Sequence, residues 1–147
     1  MRFTESPVIE LTVGDSKLSF HQDNGSMHVG TTVWPCSLVL VKFIERWHSS
    51  TSTSDNPYSI LFNFTNKRAV ELGTGCGVAA MGLYLLGLKD IVLTDIAPVM
   101  PALKHNLKRN KPILGRYYSL TGYQFILFLL LFNAIFSTIS AFTILNK

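Results

Sequence analysis

The sequence predicts an α/β fold built on a parallel sheet, and three observations lead there. Lys67–Leu72 and Asp90–Asp95 are short β-prone runs separated by a glycine turn and an apolar helical stretch. A strand, a crossover helix and a second strand within about 28 residues make a βαβ unit, whose strands run parallel. The turn after the first strand carries three glycines, Gly73, Gly75 and Gly77, at alternate positions. Finally, 147 residues that are 48% apolar and only 15% charged have the size of one ordinary domain, which excludes a disordered or solvating segment.

The elements follow in order. Val8–Val13 and Lys17–His21 are β-prone runs joined by Gly14-Asp15, so residues 1–33 read as an N-terminal β-hairpin extension. Pro35 suits a first helical turn, where its missing N–H has no intrahelical partner to lose, and Leu38, Val41, Ile44 and Trp47 follow at helical spacing. This predicts a helix over 35–48. The serine- and threonine-rich stretch that follows predicts a flexible loop over 49–58. Within it, Asp55-Asn56-Pro57-Tyr58 has the look of a catalytic N-P-P-Y loop but reads more simply as a turn, because Asn-Pro after a serine run initiates turns. Beyond the glycines, Val78–Leu86 predicts a helix closed by Gly87, and Val99–Asn110 a helix after the second strand. Residues 34–115 then form a core, and 116–147 a tail.

The tail differs in composition. Residues 1–95 hold seven basic and nine acidic side chains, whereas 96–147 hold six basic and none acidic. Between Arg116 and Lys147 no residue is charged, and the run is dominated by Phe, Leu and Ile. Three fates are open to it: a membrane-spanning helix, for which about 20 residues suffice; one or two strands covering a sheet edge; or a poorly ordered extension. In the first case association with the membrane through 117–145 would hold the basic flank of Lys104 to Arg116 on the cytoplasmic side. Otherwise a cytoplasmic protein is expected. Cys36 and Cys76 match neither a metal nor a disulfide framework, so no metal is expected, and the amino terminus lacks the apolar stretch of a cleaved signal peptide. The basic stretch has no interleaved aromatics for stacking, so no nucleic-acid partner is expected.

The chemistry concentrates at Glu71-Leu72-Gly73-Thr74-Gly75-Cys76-Gly77 and at Asp95, twenty residues after Gly75. Nucleotide pockets lie at the carboxyl ends of parallel strands, where glycines admit a ligand to the backbone and an acid ending the next strand accepts ribose hydroxyls. A glycine turn serving packing alone and a dinucleotide loop, for which Gly75-Cys76-Gly77-Val78-Ala79-Ala80 satisfies G-x-G-x-x-A, both compete with this reading. The second would make the chain half of an NAD-dependent oxidoreductase. Against it, Glu71 sets a negative charge beside the place a pyrophosphate must take. That acid suits a cation, such as the ammonium and sulfonium of S-adenosylmethionine.

Glu71–Gly77, Leu93-Thr94-Asp95 and Leu103–Asn110 together resemble the seven-strand S-adenosylmethionine-dependent methyltransferases, in particular the methyltransferase-like protein-lysine methyltransferases. Val33-Trp34-Pro35 before an apolar helix resembles the segment upstream of that group's glycine loop. The resemblance covers roughly residues 8–111 and implies a Rossmann-like sheet, S-adenosyl-L-methionine as cofactor, and the lysine side chain of a protein as methyl acceptor. It further implies that Gly73, Thr74, Gly75 and Gly77 form the seat of the methionine part with Glu71 behind them, that Asp95 takes the ribose hydroxyls, that Ile96 lies along the adenine, and that Trp34 packs from the N-terminal side. An ordinary core role for Trp34 and a helix-capping role for Asp95 are the alternatives. The D-x-x-Y motif of the family's acceptor slot has no counterpart after Asp95, and the residues beyond 111 cannot supply the remaining strands and helices. The chain therefore looks like an incomplete methyltransferase with a hydrophobic tail, active or reduced to a membrane-tethered, non-catalytic cofactor-binding fragment. No catalytic residue is assigned by the sequence.

Overall fold

A computed structural model describes residues 4–48, 56–115, 123–124 and 141–146. Among these, the elements run β1 (Val8–Val13), β2 (Ser16–His21), a short 3-10 turn (Val29–Thr31), α1 (Pro35–His48), β3 (Lys67–Leu72), α2 (Val78–Leu85), β4 (Asp90–Asp95), α3 (Met100–Leu114), β5 (Tyr123–Gln124) and β6 (Ala141–Asn146). The sequence places α1, β3 and β4 at the observed boundaries. Helix α3 runs four residues beyond the predicted Asn110 despite Pro112 inside its last turn, and it stops at Gly115, whose φ is +78°.

Strands β1 and β2 pair antiparallel, with Ile9 opposite Phe20 and Leu11 opposite Leu18. All four of these side chains are buried, so alternation along the hairpin delivers one apolar face to the core. The second sheet has the order β5-β4-β3-β6. Strands β3 and β4 run parallel, Ala69 opposite Ile91 and Glu71 opposite Leu93, as the α2 crossover requires. These four residues are buried, whereas on the opposite face Val70 and Val92 are half-buried and Leu72 is 48% exposed.

Helix α2 is buried continuously from Val78 to Leu83, the pattern of a helix enclosed on all sides. Helix α1 crosses it at Gly82, where a Cβ would stand 2.5 and 2.6 Å from the Val41 methyl carbons. Helix α3 lies along β2 through Asn106 and Asn110. Of the predicted 49–58 loop, residues 49–55, including Asp55, lie outside the described residues. Asn56 is buried and behaves as a turn residue: its Oδ1 accepts the Tyr58 N–H (2.9 Å) and its Nδ2 donates to the Trp47 carbonyl (2.5 Å).

The tail corrects one expectation. Residues 116–122, 125–140 and 147 lie outside the described residues, but both described pieces of the tail are strands. Strand β5 pairs parallel with β4, and β6 pairs antiparallel with β3 from Ala141 opposite Leu72 to Asn146 opposite Lys67. The membrane-spanning helix expected over this run is not supported: both described pieces are strands, and among the described residues no helix is long and apolar enough to cross a membrane. The physical reason is the sheet edge: without β6 the outer N–H and C=O groups of β3 would stand unpaired. The strand alternative met this need.

Candidate functional site

The carboxyl ends of β3 and β4 lie side by side, and the turn leaving β3 folds over the end of β4. The Thr74 N–H donates to the Thr94 carbonyl (3.0 Å), and the Thr94 hydroxyl donates to the Glu71 carbonyl (2.8 Å). The Thr74 hydroxyl donates to the same Glu71 main-chain oxygen (3.3 Å). The Gly77 N–H closes the turn on the Thr74 carbonyl (3.0 Å) and opens α2.

Gly75 is needed twice over. Its φ of +59° lies in the left-handed region, and a Cβ there would sit 3.0 Å from the Gly30 carbonyl oxygen. The short 3-10 turn therefore lies directly on the glycine turn. Trp34 pins that short turn, donating from Nε1 to the Val29 carbonyl (3.0 Å), and is half-buried as it does so. Gly77 is buried and its missing Cβ faces inward, towards the Met81 and Leu103 methyl carbons. Gly73 is exposed, with open space where its Cβ would be.

Asp95 ends β4 almost fully buried. Its Oδ2 accepts the Gly75 N–H (2.6 Å) and its Oδ1 accepts the Ile96 N–H (2.7 Å). Burial raises its pKa, and the two amides oppose that shift. The helix-capping alternative does not hold: α3 begins at Met100 after Val99, with no side-chain cap. Asp95 thus ties the turn of β3 to the end of β4, with Ile96 half-buried next to it.

Glu71 is the anomaly. Its side chain is fully buried, 0% exposed; the Thr74 hydroxyl and the Ala80 N–H are its polar neighbours, neither in full hydrogen-bond geometry, and no counter-charge stands beside it among the described residues. Burial pushes its pKa up to about 8; the Thr74 hydroxyl and the Ala80 N–H oppose the rise, and the Asp95 charge adds to it. A buried carboxylate without a counter-charge is costly, which is why the proton is held so far up the pH scale. By contrast, Cys76 is inert: burial first, and Asp95 second, push its thiol up to about 12.

The structure thus brings Glu71, Gly73, Thr74, Gly75, Gly77, Asp95 and Ile96 to one sheet end, while Trp34 reaches it through the 29–31 turn. Sequence reasoning assigned no role to Asn106 and did not single out Gly30, though both hold this assembly. Asn106 is fully buried, and Asn106 and Asn110 share one helix face with Leu103, Leu107 and Leu114. A pair of amides four residues apart on an apolar face was the available signal.

A family model described as "Lysine methyltransferase" matches residues 13–119. Among curated proteins, the chain is 30% identical over 81 residues to the mouse "Protein-lysine methyltransferase METTL21E", covering 55% of this chain and 28% of that protein. It is 27% identical over 103 residues to the zebrafish "Protein N-lysine methyltransferase METTL21A", covering 70% of this chain and 41% of that one. A human "Putative methyltransferase-like protein 21E pseudogene" is 30% identical over 88 residues, 60% of this chain and 28% of its own length. The chain thus spans well under half the length of these relatives. The matches do not favour the dinucleotide alternative or the non-catalytic one.

Proposed function

Because this chain belongs to the lysine methyltransferase family, we propose that its glycine turn binds S-adenosyl-L-methionine and that it carries the cofactor-binding half of a protein-lysine methyltransferase. The observation that carries the reading is Glu71, a fully buried carboxyl at the head of a glycine turn with no counter-charge among the described residues. A cationic ligand supplies that counter-charge, and a diphosphate does the opposite.

The residues present fit the cofactor. Gly73 leaves room where a side chain would stand, and Gly75 and Thr74 present the turn whose shape Asp95 holds. The Asp95 carboxylate has about four lone-pair sites, so the two amides it accepts leave capacity for a pair of ribose hydroxyls. Ile96 is the apolar neighbour for the adenine, Gly77 sets the start of α2 beneath the turn, and Trp34 steadies the segment that closes on Gly75. When bound, S-adenosyl-L-methionine supplies a methyl group already activated on a sulfonium. What the chain contributes is alignment, a counter-charge and exclusion of water.

The acceptor is a protein lysine side chain. That amine must lose a proton before attack, which desolvation favours; a neighbouring carboxylate helps only by accepting the proton as a base, since its charge stabilises the ammonium. No acid follows Asp95 in this sequence. The residues described at the sheet end serve cofactor binding, and the sequence after Asp95 adds no acidic group for the acceptor amine. Titration calorimetry with S-adenosylmethionine and with NAD, beside single-turnover transfer of labelled methyl to a cell extract, tests the reading. Saturable binding of the sulfonium and none of NAD is expected. No binding of S-adenosylmethionine at millimolar concentration, or preferential binding of NAD, would overturn it.

A further inference from the structure

We infer that Asn106 is the positioning residue of the glycine turn, so that the N-terminal hairpin forms part of the cofactor site; the link to a cofactor rests on the reading above. The Asn106 amide joins three separate parts of the chain. Its Oδ1 accepts the His21 N–H at the end of β2 (2.7 Å). Its Nδ2 donates to the His21 carbonyl (3.0 Å) and to the Cys76 carbonyl within the glycine turn (3.2 Å). The side chain is wholly buried, so no water substitutes for it without rearrangement.

The bond to Cys76 controls one peptide plane. The carbonyl of that plane points at Asn106, and its other end, the Gly77 N–H, bonds the Thr74 carbonyl (3.0 Å). The plane between Cys76 and Gly77 is pinned on both sides, and with it the turn that presents Thr74 and Gly75. The hairpin end is held in turn: Gln22, next to His21, accepts the Val33 N–H on its Oε1 (2.9 Å) and donates to the Ser6 carbonyl (2.7 Å). Thus Asn106 sets the hairpin, the approach to Trp34 and the glycine turn in one register.

Asn110 provides the internal control. One helical turn on, its Oδ1 accepts the Ser19 N–H (2.9 Å) and its Nδ2 donates to the Ser19 carbonyl (2.9 Å), the same pair of bonds to β2 that Asn106 makes at His21. Its other partners are the Asn106 carbonyl and the Met81 sulfur, not the glycine turn. Removing either amide loosens the hairpin, and removing Asn106 alone also frees the turn.

The experiment compares Asn106→Ala with Asn110→Ala by residue-resolved amide hydrogen exchange on the ligand-free chain, corrected for global stability from urea unfolding. At least tenfold faster exchange at the Gly77 amide is expected in Asn106→Ala and no more than twofold in Asn110→Ala. In the same proteins S-adenosylmethionine should bind at least tenfold more weakly to the first and within twofold of the parent to the second. Asn106→Ser, a smaller polar change, serves if the alanine variant does not fold. Equal effects of the two sites on the turn, or none at either, overturn the proposal. If the parent chain does not bind S-adenosylmethionine, the functional reading fails while the exchange comparison still decides the positioning role.

Discussion

Replacing Glu71 by Gln removes a charge at constant shape and tests the anomaly at the heart of the site. In the unfolded chain this carboxyl loses its proton near 4.5, whereas burial in the folded protein holds the proton to about pH 8. Between those values the folded state binds more protons than the unfolded one, so its stability falls as pH rises. Below about 4.5 Glu71 contributes no penalty, and above about 8 the whole penalty is present. At about 1.4 kcal/mol for each unit of displacement, the difference between parent and Glu71→Gln should shift by on the order of 4 kcal/mol between pH 5 and pH 8, in favour of the variant. That is a large share of an ordinary folding free energy. The buried amide of the variant still lacks partners, a cost of about 1–3 kcal/mol that does not vary with pH. Every other titrating group is common to both proteins and cancels. Urea unfolding followed by the fluorescence of Trp34 and Trp47, at half-unit steps of pH, measures the difference. Parallel stability curves across this range would refute the reasoning, because they would mean that the carboxylate is already satisfied and has no need of a cation.

Three further outcomes follow from the same geometry. Asp95→Asn keeps only one acceptor oxygen for the Gly75 and Ile96 amides, so urea unfolding should show a loss of about 1–2 kcal/mol; calorimetry should show S-adenosylmethionine affinity reduced at least tenfold. Gly75→Ala forces a side chain into the left-handed region and against the Gly30 carbonyl, so it should lose about 1–2 kcal/mol from the backbone alone and weaken the same titration. Gly82→Ala drives a methyl between α1 and α2 at Val41, far from the turn; an overpacking cost of about 1–3 kcal/mol in thermal or urea unfolding, with unchanged affinity in the folded fraction, is the expected signature.

The parts of the fold visible in the sequence are those dictated by local rules. Pro35 and the spacing of Leu38, Val41 and Ile44 mark α1, and the alternation of strand, glycines, helix and strand marks β3–α2–β4. The tail resisted because an unbroken run such as Phe125–Phe132 carries no periodicity, so length was its one readable property. Pairing of β6 with β3 answers a need of the sheet edge, which lies far away in the chain. At the site, Glu71 and Asp95 were legible as acids ending neighbouring strands. That one would be buried without a counter-charge while the other would hold Gly75 depends on tertiary burial. Asn106 was concealed differently: on a helix whose Lys104, Lys108 and Arg109 face solvent, a polar side chain reads as one more solvated group. Only the neighbouring backbone of β2 and Cys76 reveals its purpose.

The polarity of β6 bears on how a methyl acceptor would be met. A parallel neighbour of β3 would send its outgoing loop over the rim where Leu72 ends, and outgoing loops are where α/β enzymes keep their working groups. An antiparallel one does the reverse: the chain arrives at that rim at Ala141 and departs at the far end, beside Lys67. The rim next to Leu72 is thus met by the first residue of an incoming strand, and β6 itself carries no carboxylate. A methyl acceptor approaching that rim would therefore meet the start of β6 and not the outgoing loop of a parallel neighbour.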